Sequence, residues 1–152
     1  MKTEKMQVLK AHKEDLTILN QITFASKQFW GYSDEQMEAW KEMLTMSESY
    51  LTENTVYKLV QEEILGYYSF IIFENYVELD NLFIKPEKIG KGLGTFLLQH
   101  LLDEITKLGH HKIVLFADPN AERFYKKMGF QVIGSKPTQD KTRFLPIMEL
   151  NL

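Results

Sequence analysis

Residues 82–95 read LFIKPEKIGKGLGT, in which a strand-like run passes through a glycine-rich loop directly into the start of a helix. Glycines let the backbone approach a bulky anion, and the first amide groups of a helix have no intrahelical partners and point outward. The positive end of the helix dipole and the side chains of Lys88 and Lys91 add to the attraction. The loop therefore fits a pyrophosphate cradle. The alternative is a tight turn whose glycines only let the helix pack on the sheet.

The spacing of the glycines in this loop excludes two common phosphate-binding loops. Residues 90–94 follow the pattern G-x-G-x-G. A P-loop has the pattern G-x-x-x-x-G-K-[S/T], and a dinucleotide-binding loop has the pattern G-x-G-x-x-G. A nucleotide-binding domain of either kind is therefore disfavoured.

Hydrophobic periodicity and turn residues predict the elements on both sides of this loop. Strands are predicted near 6–10 and over 55–61, 64–73, 76–84, 112–117, 130–134 and 144–150, and helices over about 14–28, 33–45, 95–108 and 121–128. Ser33 fits an N-cap, and Gly109 and Gly129 fit the glycines that end helices. The order β-α-α-β-β-β-α-β-α-β-β predicts an α/β fold with a mixed, mostly antiparallel central sheet flanked by helices.

Composition places the chain among globular proteins and narrows its chemistry. The 152 residues, 44% of them apolar, predict one domain over 1–152 without a linker or a repeat. Eighteen Lys and Arg against 21 Asp and Glu give a net charge of −3, which argues against a dedicated nucleic-acid binder. The absence of cysteine excludes disulfides, thiolate metal sites and a covalent cysteine intermediate, and it fits a reducing compartment.

The sequence predicts neither a membrane segment nor a metal site. The longest apolar run is the five residues 113–117, far below the about 20 that span a bilayer. No apolar segment typical of a signal peptide follows the N-terminal residues. The four histidines, His12, His100, His110 and His111, show no metal-binding spacing with carboxylates. We therefore expect a soluble, cytoplasmic protein without a metal ion.

Two motifs resemble those of the GNAT-type N-acetyltransferases. The family's loop reads [Q/R]-x-x-G-x-[G/A]; Gly92 and Gly94 match its last two fixed positions, and Ile89 stands where Arg or Gln is usual. Residues 118–130, DPNAERFYKKMGF, are similar to the family's N-x-x-A-x-x-F-Y-x-x-x-G-F, with Asp118 where asparagine is usual. A helix and a strand separate the two motifs, and this combined arrangement is much more specific than either motif alone.

The resemblance implies a GNAT-like fold, acetyl-CoA as co-substrate, and transfer of the acetyl group to a primary amine of a small molecule or a peptide. It implies that acetyl-CoA is bound by Leu82, Phe83, Ile84, Ile89, Gly90, Lys91, Gly92, Leu93, Gly94, Thr95, Asn120 and Tyr125. Asn120 is preferred to Asp118 for the pantetheine arm because an amide both donates and accepts hydrogen bonds. The alternative is a non-catalytic acyl-CoA sensor or interaction module on the same fold, and the retained Tyr125 argues against it.

The resemblance also implies roles for three residues in acetyl transfer. Glu78 lies 11 residues before Ile89, the offset at which similar enzymes carry a glutamate base. The backbone N–H of Leu82 would face the thioester oxygen, and Tyr125 would be the acid for the departing thiolate. Asp80, a distant residue or water are the alternatives for the base, and both carboxylates also fit the outer face of a half-buried strand. Without cysteine, direct attack in a ternary complex is expected.

The acceptor site is expected near the stretch SKQFWGYS, which contains Trp30 and Tyr32 and resembles one bacterial subgroup of the family. Aromatic faces bind ammonium groups through cation–π contacts, so these two residues and Glu78 are candidates for acceptor binding, with Trp40 as a further one. Core packing is an equally good interpretation of each aromatic residue. By analogy, a homodimer is also expected, and the final strand, 144–150, would either complete its own sheet or pair across the dimer.

Overall fold

The computed structural model describes residues 5–138, 141 and 143–152. Their strands are β1 (Gln7–Lys10), β2 (Thr55–Gln61), β3 (Glu63–Ile72), β4 (Val77–Ile84), β5 (Lys112–Phe116), β6 (Gln131–Pro137) and β7 (Phe144–Asn151). Their α-helices are α1 (Leu16–Phe29), α2 (Asp34–Leu44), α3 (Glu48–Glu53), α4 (Leu93–Lys107) and α5 (Glu122–Lys127). No helix in this part of the chain is long and apolar enough to cross a membrane.

The strands hydrogen-bond in the order β1-β2-β3-β4-β5-β7-β6. β4 and β5 run parallel, whereas the pairs β1–β2, β2–β3, β5–β7 and β6–β7 are antiparallel. The predicted fold class, a mixed and mostly antiparallel sheet flanked by helices, is confirmed.

Helix α3 is an addition to the predicted order of elements. Its six residues are too few to show a helical period, and they lie between a longer helix and a strand. The sequence feature that indicates the start of this helix is Ser47, whose side chain accepts a hydrogen bond of 3.1 Å from the backbone N–H of Tyr50. Such a cap satisfies one of the orphan amide groups at the helix start.

The final strand, β7, lies between β5 and β6 and pairs with both. Leu115 of β5 lies opposite Met148, and Pro137 of β6 lies opposite Phe144. Both edges of β7 are therefore used within the chain. Of the two arrangements expected for this strand, the structure shows the one in which it completes its own sheet.

The chain divides into two compact units, and the first comprises the residues up to Phe70 together with Asn81–Leu101. One core cluster of this unit contains Leu19, Ile22, Met46, Val56, Ile64 and Tyr67. The hydroxyls of Thr23 and Tyr67 share a buried hydrogen bond of 2.6 Å, which ties α1 to β3. A polar pair buried in an apolar core is stable when both groups are satisfied in this way.

The second unit comprises Ile71–Asp80 and Leu102–Leu152. Its most buried side chains include Val77, Leu79, Ile105, Ile113, Leu115, Tyr125, Phe130 and Met148. Gly109 and Gly129 end α4 and α5 as predicted, with φ of 84° and 100°. After Gly109, the backbone N–H of His110 donates a hydrogen bond of 3.0 Å to the carbonyl of Ile105. After Gly129, the backbone N–H of Phe130 donates one of 3.0 Å to the carbonyl of Tyr125. A hydrogen bond of this span defines a Schellman motif.

Candidate active site

The glycine loop joins β4 to α4 and is exposed to solvent. Helix α4 begins at Leu93, earlier than predicted, so Gly94 and Thr95 belong to its first turn. Gly90 and Gly92 have φ of 87° and 80°, and a Cβ at either position would meet no other atom within 4 Å. These two glycines are therefore required by the backbone conformation and not by close packing of the helix. This finding removes the packing alternative at both positions.

The electrostatics of the loop favour an anion. The backbone N–H of Phe96 in α4 donates a hydrogen bond of 3.0 Å to the carbonyl of Gly92 in the loop. The N–H groups in the first turn of an α-helix have no intrahelical partners, and the first turn of α4 contains no acidic side chain. Lys91 is exposed beside this turn, and Ile89 is also exposed. The arrangement provides backbone N–H groups, the helix dipole and one lysine for a phosphate group.

The end of β4 is fixed by contacts with β3 and α1. A Cβ on Gly66 would lie 2.6 Å from the carbonyl oxygen of Phe83, so glycine is needed for this close approach. The hydroxyl of Ser26 donates a hydrogen bond of 2.8 Å to the carbonyl of Ile84. Lys85 then bonds β3 through its backbone N–H at 2.8 Å and through its ammonium, which lies 3.0 Å from a Glu63 oxygen. The backbone that leads into the loop is therefore held in place before the first glycine.

The parallel ladder between β4 and β5 is short. It pairs the first two residues of β4, Val77 and Glu78, with β5, although β4 continues to Ile84. The backbone of Leu82 therefore lies beyond the ladder that the structure describes. A strand edge of this kind can pair with an extended ligand through its main-chain groups.

Glu78 is half-buried on the face of β4 that it shares with Asp80, because side chains alternate along a strand. Burial raises the pKa of the Glu78 carboxyl, and the negative charge of Asp80 raises it further. The ammonium of Lys136 acts in the opposite direction and lowers this pKa. A carboxyl with a raised pKa is a better proton acceptor once it is ionised, so Glu78 fits a general base better than the exposed Asp80 does.

Lys136 is a charged neighbour of Glu78 that sequence reasoning missed. It lies on β6 opposite Leu145 of β7, and its Nζ is 4.5 Å from the ring centroid of Phe116 on β5. This placement depends on the register of strands that are distant along the chain. No local motif around Lys136 signals it, so only the topology of the second unit reveals the residue.

Tyr125 is buried in α5, with 7% of its surface exposed. Its ring packs edge-on against Phe124 at 5.1 Å and against Phe130 at 5.5 Å. Its carbonyl accepts the Schellman hydrogen bond from the backbone N–H of Phe130. Burial, with a smaller contribution from the charge of Asp118, raises the pKa of the Tyr125 phenol. The hydroxyl therefore keeps its proton at every working pH and can serve as a hydrogen-bond donor.

Asp118 and Asn120 form a local turn before α5. An oxygen of Asp118 accepts hydrogen bonds from the backbone N–H of Asn120 at 2.9 Å and from its side-chain amide at 3.0 Å. The other Asp118 oxygen lies 3.7 Å from the guanidinium of Arg143. Asp118 thus takes a structural role here, while Asn120 is exposed to solvent. This is compatible with the preference for Asn120 over Asp118 as the residue that contacts a ligand.

The aromatic residues of the candidate acceptor site separate into two pairs. Tyr32 and Trp40 pack edge to face with their ring centroids 4.8 Å apart. Trp30 instead packs against Phe29 at 5.1 Å, and its side chain is exposed. The structure therefore brings Tyr32 together with Trp40 but does not place Trp30 beside them.

The described residues contain no group of three or more His, Cys, Asp or Glu side chains that could hold a metal ion. His100 of α4 instead shares a hydrogen bond of 2.7 Å with the hydroxyl of Tyr68. Its ring also lies edge-on to that of Tyr57, with the centroids 5.0 Å apart. His100 is accordingly part of the packing of the first unit.

Comparison with known proteins gives one family and several structural neighbours. The model of the acetyltransferase (GNAT) domain matches residues 30–152. The peptidyl-lysine N-acetyltransferase YjaB of Salmonella typhimurium (strain LT2) is 36% identical over 72 residues, which are 47% of this chain. That match spans about half of the relative, 48% of its length.

Two solved structures resemble the chain over nearly its whole length. The PaiA N-acetyltransferase of Thermoplasma acidophilum, in complex with coenzyme A, has a TM-score of 0.82 and 23% identity, and the match covers 97% of this chain and 99% of that one. The yncA protein of Salmonella typhimurium with its cofactor acetyl-CoA has a TM-score of 0.68 and 24% identity, and the match covers 97% of this chain and 94% of that one. At these identities the likeness establishes the fold alone.

Proposed function

Because the chain belongs to the GNAT family of acetyltransferases, we propose that it transfers an acetyl group from acetyl-CoA to a primary amine. The family match over residues 30–152 carries the proposal, since it includes both the glycine loop and the segment 118–130. Residues 1–152 act as one acyltransferase domain, and the acceptor is an amine of a small molecule or a peptide. The name of the YjaB relative, which acts on peptidyl-lysine, supports a lysine side chain as one such acceptor.

The loop at the start of α4 binds the pyrophosphate of the co-substrate, and acetyl-CoA supplies the acetyl group as a thioester. Gly90 and Gly92 have no Cβ, and the space that a Cβ would fill is open. The backbone N–H groups can therefore approach a phosphate closely. Lys91 adds a positive charge next to the positive end of the helix dipole. This mode of binding uses the main chain, which is why Ile89 can replace the usual Arg or Gln.

The end of β4 holds the pantetheine arm and the thioester carbonyl. Leu82 and Ile84 lie beyond the ladder to β5, so their backbone groups can pair with the amides of an extended ligand, whereas the carbonyl of Phe83 between them lies against Gly66 of β3. The Ile84 carbonyl already accepts the Ser26 hydroxyl, which leaves one of its two lone pairs for a ligand. The backbone N–H of Leu82 stabilises the negative charge that develops on the carbonyl oxygen.

Glu78 takes the proton that the attacking amine must lose. Its raised pKa keeps the ionised carboxyl basic enough to accept that proton, and burial is the main cause of the shift. The base is ionised above its pKa, so activity should rise with pH as Glu78 loses its proton. Asp80, which is exposed on the same face, adjusts this pKa and does not take the proton itself.

Tyr125 donates a hydrogen bond to the sulfur as the thiolate leaves. A phenol with a raised pKa is a weaker acid than an ordinary tyrosine, so donation of a hydrogen bond contributes more than complete proton transfer. The new N–C bond forms as the C–S bond breaks, and the amine proton passes to Glu78. Because the chain has no cysteine, both substrates must be bound together for this direct attack.

Thermal unfolding with acetyl-CoA, CoA, ATP and NAD tests the proposal. A ligand at about 100 times its Kd stabilises the folded chain by about 2.7 kcal/mol, which raises the Tm of a domain of this size by roughly 5–10 °C. We expect that shift with acetyl-CoA and CoA and none with ATP or NAD. No shift at millimolar acetyl-CoA would overturn the proposal, whereas binding without acetylation of any amine in a broad panel would favour the sensor alternative.

A pair of glycine variants assigns the binding to the loop. Gly92 and Gly109 have φ of 80° and 84°, and both have open space where a Cβ would lie. Gly92→Ala and Gly109→Ala therefore carry a similar conformational penalty of about 1–2 kcal/mol. We expect both variants to unfold at a lower temperature, but only Gly92→Ala to lose most of the stabilisation by acetyl-CoA. An equal response of the two variants would place the pyrophosphate elsewhere.

A further inference from the structure

Three aromatic rings of the first unit surround the ammonium group of Lys27. The Nζ atom lies 5.8 Å from the ring centroid of Tyr32, 5.9 Å from that of Trp40 and 5.8 Å from that of Phe83. Each distance is within the range of about 6 Å over which a cation is attracted to an aromatic face. The three rings, here called the aromatic cage, come from the α1–α2 connection, from α2 and from β4.

The walls of the aromatic cage are held by contacts of their own. Tyr32 and Trp40 pack edge to face, and Trp40 is buried with 6% of its surface exposed. The ring of Phe83 packs against that of Tyr67 at 5.9 Å, and Tyr67 is in turn bonded to Thr23. The rings are therefore preorganised, whereas a lysine ammonium sits on a flexible four-carbon stem.

Lys27 and Tyr32 are both half-buried, so each keeps part of its surface exposed to solvent at the aromatic cage. Phe83 follows directly after Leu82, the residue whose backbone N–H is proposed to face the thioester oxygen. The cage is thus built in part from the same strand end as the proposed transfer site. A group bound in the cage lies next to that strand end.

We propose that the aromatic cage is a binding site for an alkylammonium group of the acceptor, and that Lys27 occupies it as an internal competitor when no acceptor is bound. This inference rests on the proposed function, which supplies an amine as the substrate. An alkylamine with a pKa near that of lysine, about 10.4, is protonated at neutral pH and arrives as a cation. Aromatic cages bind such cations by their charge and not by their wider structure, so the cage selects cationic alkylamines over neutral or anionic acceptors.

An internal competitor lowers the apparent affinity of the cage in a predictable way. The apparent Kd equals the intrinsic Kd divided by the fraction of molecules in which the cage is open. For a cation–π contact of ordinary strength at a half-buried position, occupancy of the cage by Lys27 raises the apparent Kd for another cation by a factor of about five. Removal of the Lys27 ammonium should therefore strengthen the binding of an alkylammonium ion by about five-fold.

A fluorescence titration with tetramethylammonium chloride tests this inference without acetyl-CoA. The chain has two tryptophans, so Trp30→Phe leaves Trp40, a wall of the cage, as the reporter. In this background we compare the parent with Lys27→Met, Lys27→Arg and Lys41→Met at constant ionic strength. Lys41 is an exposed lysine of α2, so its variant removes the same charge outside the cage. We expect Lys27→Met to bind the probe about five-fold more tightly, and the other two variants to resemble the parent.

Two results would overturn the inference. One is a Lys27→Met variant that binds tetramethylammonium no better than the parent. The other is an equal gain in Lys41→Met, which would make the effect one of overall charge. If Lys27→Met does not fold, the unaltered chain still decides the question by NMR. The ε-methylene protons of Lys27, shifted by the three rings, should move toward their ordinary positions as tetramethylammonium is added, and unmoved signals would exclude displacement.

The two proposals can fail separately. The titration contains no acetyl-CoA, so its failure removes the aromatic cage and leaves the acetyltransferase proposal to the thermal-shift experiment. In the acetylation assay, Lys27→Met should lower the KM of cationic amines about five-fold and leave their kcat unchanged. A change in kcat alone would give Lys27 a role other than competition for the cage.

Discussion

Two side chains of the second unit, Tyr125 and Glu78, are proposed to donate or accept protons, and their surroundings differ. Tyr125 is enclosed between Phe124 and Phe130 and lies in a helix that ends in a Schellman motif. Glu78 lies half-buried on the face of a strand, where part of its surface is exposed to solvent. Both groups have a raised pKa, and burial is the main cause in each case.

The same physical cause has different consequences for the two groups. A phenol ionises well above neutral pH, so a raised pKa keeps Tyr125 in its neutral, donating form throughout the working range. A carboxyl ionises well below neutral pH, so a raised pKa brings Glu78 toward the working range. Burial therefore gives a fixed donor in α5 and an adjustable acceptor in β4. The remaining adjustment of Glu78 comes from Asp80 and Lys136.

Substitution of Glu78, the adjustable acceptor, should have the largest effect on the rate of acetyl transfer. Glu78→Gln keeps the shape of the side chain but removes the proton acceptor, and loss of a general base costs about 10²- to 10⁴-fold in rate. We expect kcat/KM for the acceptor identified in the amine panel to fall within that range, measured by release of the CoA thiol. The thermal shift with acetyl-CoA should remain.

Glu149→Gln is the matched control for this variant. Glu149 lies on β7 opposite Val114, the residue of β5 that pairs with Glu78, so the two carboxylates share one face of the sheet. Glu149 is paired with Lys112 at 3.3 Å. Its substitution should leave kcat/KM near that of the parent. An unchanged rate in Glu78→Gln would return Glu78 to the simpler role of a polar residue on a strand face.

Substitution of Tyr125, the fixed donor, should have a smaller effect on the rate of acetyl transfer. Tyr125→Phe keeps the ring contacts and removes one hydrogen bond to a charged sulfur, which is worth a factor of roughly 10 to 100. We expect kcat to fall by that factor with little change in Tm. Tyr76→Phe, which alters a half-buried tyrosine of the same unit stacked on Phe73, should leave kcat unchanged.

The pH profile of Tyr125→Phe distinguishes donation from titration. The pKa of Tyr125 is raised above its ordinary value, so the phenol should not titrate within the range of the assay. The parent and Tyr125→Phe should therefore have pH–rate profiles of the same shape and different height. Loss of an alkaline limb in the variant would show that Tyr125 titrates and would contradict its assignment as a fixed donor.

The sequence was sufficient for most of the fold because local signals agreed with the tertiary structure. Gly109 and Gly129 end helices where a positive φ is needed, and Ser33 caps α2 through a bond of 3.1 Å from the backbone N–H of Gln36. Periodicity placed the long elements. It failed for α3, whose six residues hardly exceed one turn and a half, and it started α4 late because glycines in the first turn resemble a loop.

The surroundings of the candidate site residues were less predictable from the sequence because they depend on tertiary contacts. The family's motifs pointed to the glycine loop and to Tyr125, since both are local stretches of sequence. Lys136 carries no such signal, because it is placed by elements that are distant along the chain. Lys27 is close in sequence to Tyr32, but its contact with Phe83 joins α1 to a distant strand. The positions of Lys136 over Phe116 and of Lys27 in the aromatic cage are properties of the tertiary structure.

The smallest effect is expected from the charges that adjust Glu78, because these variants keep the base and change only its ionised fraction. The negative charge of Asp80 raises the pKa of Glu78, so Asp80→Asn should move the acid limb of the kcat/KM profile to lower pH. The positive charge of Lys136 lowers that pKa, so Lys136→Met should move the same limb to higher pH. Shifts of opposite sign would identify the limb as the titration of Glu78, whereas a limb that stays in place in both variants would assign it to a group outside this face of the sheet.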